Sequence, residues 1–296
     1  MSRTISIVGA GRVGVTLGSR LRGHGWRIGA VVTRSNRTSR AAVRAIDGGT
    51  AHSSLSPDVF SADVILITTP DDALATVARA LENIGRDRLR CKVVLHTSGT
   101  LDRTVLTPLA RRGAATGSLH PMQTFSGNVS AKHGPKLDGV VFAIEGDAKA
   151  RRVARGIARL LGGVPVIIDG RDKPAYHATA VLVAGSGFAL IEAASQMLMD
   201  IGFTRRGAMQ TLIPLTRQML DNVERIGPRA AWTGPISRGD FAIVARHAEA
   251  LRRYPREFQE AYAALALLAG RVLAKKPGAT LAQIRRALKN PRGGSR

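Results

Sequence analysis

Thr4-Ile5-Ser6-Ile7-Val8-Gly9-Ala10-Gly11-Arg12-Val13-Gly14 is a short β-branched run that breaks into three spaced glycines. The run reads as a buried strand and the glycines as a tight turn into a helix, whose apolar face begins with Val13, Leu17 and Leu21. In such a unit Gly9 makes the turn, Gly11 lets backbone approach a pyrophosphate, and Gly14 lets the helix lie close to the strand. The helix N-terminus then offers unpaired N–H groups to the phosphates. Gly9, Ala10, Gly11, Arg12, Val13 and Gly14 are therefore the expected cradle of a dinucleotide.

The segment that follows selects the dinucleotide. Trp26 to Thr33 reads as a second strand, and where an NAD site would carry a carboxylate for the ribose hydroxyls the chain has Thr33, Arg34, Ser35, Asn36 and Arg37, with no acid before Asp47. Two guanidinium groups and a hydroxyl favour the 2′-phosphate of NADP over NAD, with Arg34, Ser35 and Arg37 as its contacts.

Composition bounds the rest. At 296 residues the chain is long enough for two domains, since single cores stop growing near roughly 250–300 residues. Hydrophobic residues make up 44% and aromatics only 4%, so an aliphatic core is expected. Met1 to Arg12 lacks the charged, apolar and small-residue order of an export signal, which points to the cytoplasm. Ala178 to Ile191, the longest nearly uncharged run, is shorter than the ~20 residues that span a bilayer, so no membrane partner is expected. Cys91 has no second cysteine to pair with and reads as a small core residue at a strand start. The net charge of +23 favours anionic partners. The basic residues are nevertheless scattered over helix faces, without an arginine-rich arm or an aromatic-interleaved stripe, which argues against specific nucleic-acid binding.

Along the chain, Asp63 to Thr69 is the clearest buried strand, and it delivers Thr69-Pro70-Asp71 at its C-terminal end, where open α/β sheets bind ligands. Cys91 to His96 leads into Thr97-Ser98-Gly99 and another helix, and Ala114 to Leu119 into His120-Pro121. Thr69, Pro70 and Ser98 are added to the cofactor contacts on this ground. Val140 to Glu145 and Val164 to Asp169 bracket a helix from Ala148 to Leu161 and complete the sheet. Beyond Asp169 the alternation gives way to helices, the first running from Lys173 to Met199 with Gly185 and Gly187 inside it. The close approach of a helix, subunit or ligand would offset the stability those glycines cost. Residues from Asn290 onward read as a frayed basic tail.

A sheet followed by a helical domain with a long first helix resembles the superfamily of 6-phosphogluconate dehydrogenase, ketopantoate reductase and pyrroline-5-carboxylate reductase. Three stretches narrow the resemblance: Ser118 to Phe125 (SLHPMQTF), Lys173 to Ala178 (KPAYHA) and Thr233 to Asp240 (TGPISRGD). Together they are similar to a family of Rossmann-like proteins with a C-terminal helical domain of unknown function, often labelled NADP oxidoreductases. The fold implied is an α/β class with a doubly wound Rossmann sheet at residues 1–170 and an all-α domain of the 6-phosphogluconate dehydrogenase type at residues 171–296.

The resemblance also implies roles. A lysine near the start of the long helix commonly serves as acid or base, which assigns Lys173 as proton donor with His177 one turn on, and His120 as a further catalytic candidate emerging from the sheet. Tyr176-His177 stands where sugar-acid dehydrogenases carry asparagine, which points away from a hydroxyacid dehydrogenase. Arg238 would fork onto a substrate carboxylate, with Thr233 and Asp240 beside it, Asp240 either capping the next helix or pairing with a base. The expectation is an NADPH-dependent reductase for a small anionic carbonyl or imine bound between the domains, with 2-oxo acids such as ketopantoate first. A non-catalytic NADP sensor is the alternative, and a homodimer through the helical domain is expected.

Overall fold

Side-chain alternation with period two builds the sheet. In β1 (Thr4–Val8) and β4 (Val64–Ile67) every residue is buried. Ile5, Ile7, Val64 and Leu66 enter the core on one face with Leu17, Leu21, Ile46 and Ile157. Val8, Ile65 and Ile67 enter the core on the other with Leu74, Ala78, Leu81 and Leu106. Strands buried on both faces are those of a parallel sheet covered by helices.

The computed structural model describes residues 3–127 and 135–289. In chain order β1 is followed by α1 (Arg12–Gly23), β2 (Arg27–Val32), α2 (Asn36–Ile46), β3 (Thr50–His52) and β4. Then come α3 (Asp71–Gly85), β5 (Val93–His96), α4 (Thr107–Arg111), β6 (Ala115–Pro121), β7 (Val141–Gly146), α5 (Ala148–Leu160) and β8 (Val164–Ile167). The sheet order is β3-β2-β1-β4-β5-β6-β7-β8. Because β1 lies between β2 and β4, the chain reverses direction across the sheet there, at the switch point where doubly wound folds bind ligands. The expected doubly wound Rossmann sheet is thus present.

One feature was left open by the sequence reading and two differ from it. Strand β7 runs antiparallel to β6, with Ser118 opposite Glu145 and His120 opposite Ala143. Cys91 is exposed rather than a core residue, because it precedes the first paired residue of β5 in a turn where its φ is +65°. The helix expected after Gly99 reduces to a single 3₁₀ turn, Arg103–Leu106, and the five-residue α4.

The chain divides into two compact units, Met1–Ser186 and Gly187–Arg296. Helix α6 (Lys173–Ala180) belongs to the first, continues through a π-helical turn at Val181–Gly185, and passes into α7 (Ser186–Asp200). The single helix expected from Lys173 to Met199 is therefore widened at one place, where the π turn takes up more residues per turn than an α-helix. The second unit adds α8 (Arg205–Ile226), α9 (Pro228–Ala231), α10 (Pro235–Arg238), α11 (Phe241–Ala250), α12 (Arg256–Val272) and α13 (Pro277–Lys289). Its small core gathers Val244, Ala245 and Ala287 with Ile236, Phe241, Tyr262 and Leu288. A Cβ on Gly187 would meet nothing within 4 Å, so among the described residues no neighbour approaches that glycine. The basic tail at 290–296 lies outside the described residues.

Candidate functional site

The glycine turn has the shape its spacing implies. Gly9 has φ of +87°, and a Cβ there would stand 2.5 Å from Thr69 Cγ2 and 2.7 Å from Thr69 N, so only glycine fits. Gly14 packs against Thr68 Oγ1 and Ile7, which draws α1 onto the sheet. Around Gly11 the nearest atom to an added Cβ is Gly9 O at 3.8 Å, so backbone there is open to an incoming group. The turn is tied to the ends of β2 and β4: Gly9 N–H donates to Val32 O (2.9 Å) and Thr68 Oγ1 to Gly9 O (2.8 Å).

Among the described residues no acceptor takes the N–H groups of Arg12, Val13 and Gly14, and the first turn of α1 holds no acid. Thr69 Oγ1, buried beside the turn, also has no partner among the described residues. An anion-ready helix end with an orphaned hydroxyl at its edge fits a dinucleotide pyrophosphate. At the end of β2, Arg34 and Arg37 are exposed, while Ser35 accepts from Thr38 N (3.2 Å) and caps α2. Ser35 Oγ also lies 2.8 Å from Thr38 Oγ1, so the hydroxyl is engaged within the turn and the exposed guanidinium groups of Arg34 and Arg37 are the donors suited to a phosphate.

A second cluster forms where β5, β6 and α6 meet. Lys173 is 0% exposed, and its ammonium donates to the carbonyl of Ser98 (2.9 Å) and to Ser118 Oγ (2.9 Å). Burial pushes its pKa down to about 8 against the opposing pull of Glu145, Asp71 and Asp102. His96 is equally buried; its Nδ1 accepts from Ser98 N–H (3.2 Å) and its Nε2 lies 3.2 Å from Asp102 O. Accepting at one nitrogen and donating at the other defines a neutral ring. Burial, then Lys173, lowers its pKa to about 3. Glu145 accepts from Arg103 N–H (2.8 Å), and burial raises its pKa.

Above this layer His120 Nδ1 is 3.1 Å from Tyr176 Oη, with the rings edge to face at 5.5 Å. His177 meets His120 edge to face at 5.8 Å. Burial and then Lys173 lower the His120 pKa to about 4, and burial pushes the Tyr176 phenol up to about 12. Gly99 makes the group possible, since a Cβ on it would collide with His177 Cδ2 and lie 2.8 Å from His120 Nε2.

The structure therefore brings Lys173, His177, His120 and Ser98 together, and sets Thr69 and Pro70 at the end of β4 beside the glycine turn. The Ser98 hydroxyl is committed to the fold: it donates to Asp71 Oδ2 (2.8 Å) and accepts from Leu101 N–H (2.9 Å). Thr233, Arg238 and Asp240 belong to the second unit. There Arg238 Nε pairs with Asp240 Oδ2 at 3.4 Å, and Asp240 heads α11 without a side-chain capping bond. Sequence reasoning missed Tyr176, although it stands three residues after Lys173 on the same helix face, and also Ser118, His96 and Glu145.

Residues 2–121 match the model of the Rossmann-like domain, and residues 140–269 match DUF2520, a domain of unknown function. No curated protein matches the chain significantly. Among solved structures the chain is similar to a provisionally assigned NADP oxidoreductase from Bacteroides fragilis, at 22% identity and TM-score 0.72, covering 89% of this chain and 96% of that one. It is similar to a reductive aminase from Aspergillus terreus in complex with NADPH4, cyclohexanone and allyl amine, at 18% identity and TM-score 0.62, covering 100% and 97%. It is also similar to 1-pyrroline-5-carboxylate reductase from Streptococcus pyogenes, at 15% identity and TM-score 0.58, covering 97% and 99%. The N-terminal part of the chain thus matches the Rossmann-like domain and its C-terminal part matches DUF2520.

Proposed function

We propose that this protein is an NADPH-dependent oxidoreductase that reduces a small carbonyl or imine compound. The observation that carries the reading is the placing of two complementary features on one edge of one sheet. The phosphate-ready turn lies at the end of β1, and the His120, Tyr176 and His177 group at the end of β6. Both ends face the same way because β1, β4, β5 and β6 are parallel, and three strand spacings of about 4.8 Å separate them. Gly9, Ala10, Gly11, Arg12, Val13 and Gly14 would hold the pyrophosphate, with Thr69 and Pro70 beside them, and Arg34, Ser35 and Arg37 the 2′-phosphate. When bound, NADPH supplies a hydride. The imine side of the reading is supported by the reductive aminase and pyrroline-5-carboxylate reductase among the similar structures. The carbonyl side, with 2-oxo acids such as ketopantoate, draws support from the +23 charge, which would attract acids.

We propose in addition that a second copy of the chain covers the exposed apolar residues Phe188, Leu215 and Leu220 of the helical unit. The helix spanning Gly170–Asp200 is long and apolar enough to cross a membrane by length and composition, and only 6% of its most apolar window is buried. A membrane is therefore the competing outcome when the oligomeric state is measured.

The test is a fluorescence titration with NADPH and NADH, followed by a screen of ketopantoate, 1-pyrroline-5-carboxylate, and cyclohexanone with allyl amine. Replacing Arg34 and Arg37 by Ala should weaken NADPH binding roughly tenfold or more and leave NADH unchanged, given about 1.5–3 kcal/mol for a hydrogen bond to a charged group. NADPH binding with no turnover of any probe would favour the sensor.

A further inference from the structure

Hydride addition to C=O or C=N leaves an electron pair on oxygen or nitrogen, and that atom must receive a proton. By its place at the start of α6 Lys173 is the expected donor, but its side chain is closed off from solvent. It is fully buried, with its ammonium bonded to Ser98 O and Ser118 Oγ. Tyr176, one turn further along the same helix face, is only half-buried, as are His120 and His177. We infer that the Tyr176 phenol delivers the proton, that His120 is its hydrogen-bond partner, and that Lys173 is a positioning residue beneath them. This inference rests on the reductase reading above.

The geometry supports each role. Tyr176 Oη and His120 Nδ1 are 3.1 Å apart, and the His120 ring is held between Tyr176 and His177, both edge to face with it. Gly99, with no side chain, lets His120 and His177 come this close. Lys173 grips the two supports of that ring. Its bond to Ser98 O fixes the residue before Gly99. Its bond to Ser118 Oγ fixes the strand position two before His120, on the same face of β6. The ammonium also helps to keep His120 neutral, so that the ring donates through Nδ1–H to the phenol oxygen and is not itself the acid. The Tyr176 Oη–H bond then breaks as the new O–H or N–H bond of the product forms. The phenolate left behind is stabilised by the hydrogen bond from His120 Nδ1–H and takes up a proton from solvent, the one H+ that the overall reduction consumes. No charge accumulates over the cycle.

The test uses full-length wild type, Y176F and K173M. Long-range proton–nitrogen spectra of 15N-labelled protein should show His120 with its proton on Nδ1. In Y176F that one histidine should shift while NADPH affinity stays within twofold. In K173M the His120 titration should move up from about 4 by the part of the lowering that the Lys173 charge contributes, while the Nδ1 proton position is kept. With whichever probe the wild type reduces, Y176F should lose about 10²–10⁴-fold in kcat with KM retained, the range of general acid catalysis. A His120 signal blind to Y176F, or wild-type turnover by Y176F, overturns the assignment alone. NADPH binding without turnover by the wild type overturns the reductase reading and the assignment with it.

Discussion

The first unit buries polar chemistry, whereas the second leaves apolar surface uncovered. Below the His120 group the first unit sinks Lys173, His96, Ser118 and Ser98, each with a defined hydrogen-bond partner, between two large aliphatic layers. The second gathers a far smaller core and exposes Phe188 and Leu215, each at 65%, and this apolar surface begins in the last turns of the first unit, where Val183 is 73% exposed. Only a well-packed scaffold can carry buried ionisable groups, because each costs several kcal/mol unless it is neutral or paired. The first unit is therefore the one built to hold a precise constellation, while the helices from Val181 onward carry the apolar surface that calls for a cover.

Acid should break this contrast most strongly. His96 and His120 are neutral in the fold with pKa values near 3 and 4, against 6.5 when unfolded. Between pH 6.5 and about 4 the unfolded chain binds more protons, so stability falls as pH falls, by about 1.4 kcal/mol per pH unit for each histidine. Glu145, raised by burial, opposes this slope above the ordinary carboxylate range. Urea midpoints across pH should show the first unit failing in acid, and His96→Gln should roughly halve the slope. A flat profile would mean that these rings are not held neutral.

Gly9→Ala comes next. It combines about 1–3 kcal/mol of backbone strain with overpacking of similar size against Thr69, and it should abolish NADPH binding. Calorimetry and fluorescence titration check the two effects separately. Gly99→Ala should cost roughly 1–3 kcal/mol through overpacking alone, because its Cβ must displace His177 and His120. Here NADPH affinity should survive while the His120 spectrum changes. The smallest effect on the first unit is expected from Phe188→Asp with Leu220→Asp. Exposed substitutions should leave its unfolding free energy from urea titration within about 0.5 kcal/mol. Sedimentation should nevertheless show a dimer becoming a monomer, and a wild-type monomer would refute the second copy.

Much of the fold was legible because its signals are local. A fully buried run such as Val64–Ile67, the Gly9, Gly11 and Gly14 spacing, and an acid-free turn at Arg34 to Arg37 each need only a few adjacent residues to be read. Strand β3 was missed because three residues hold no periodicity, and Cys91 was misplaced because β5 begins two residues later, at Val93, which leaves Cys91 in an exposed turn.

The sequence by itself determined the order of strands and helices and the glycine cradle, since periods of 2 and 3.6 and the freedom of glycine act over short distances. Tertiary structure decided that β7 runs against β6, that Lys173 is sealed beneath the site, and that Tyr176 finds His120 across 56 residues of chain. Burial and its effect on charge are set by whatever packs around a group. For Lys173 those neighbours are Ser98 and Ser118, which only folding brings to it.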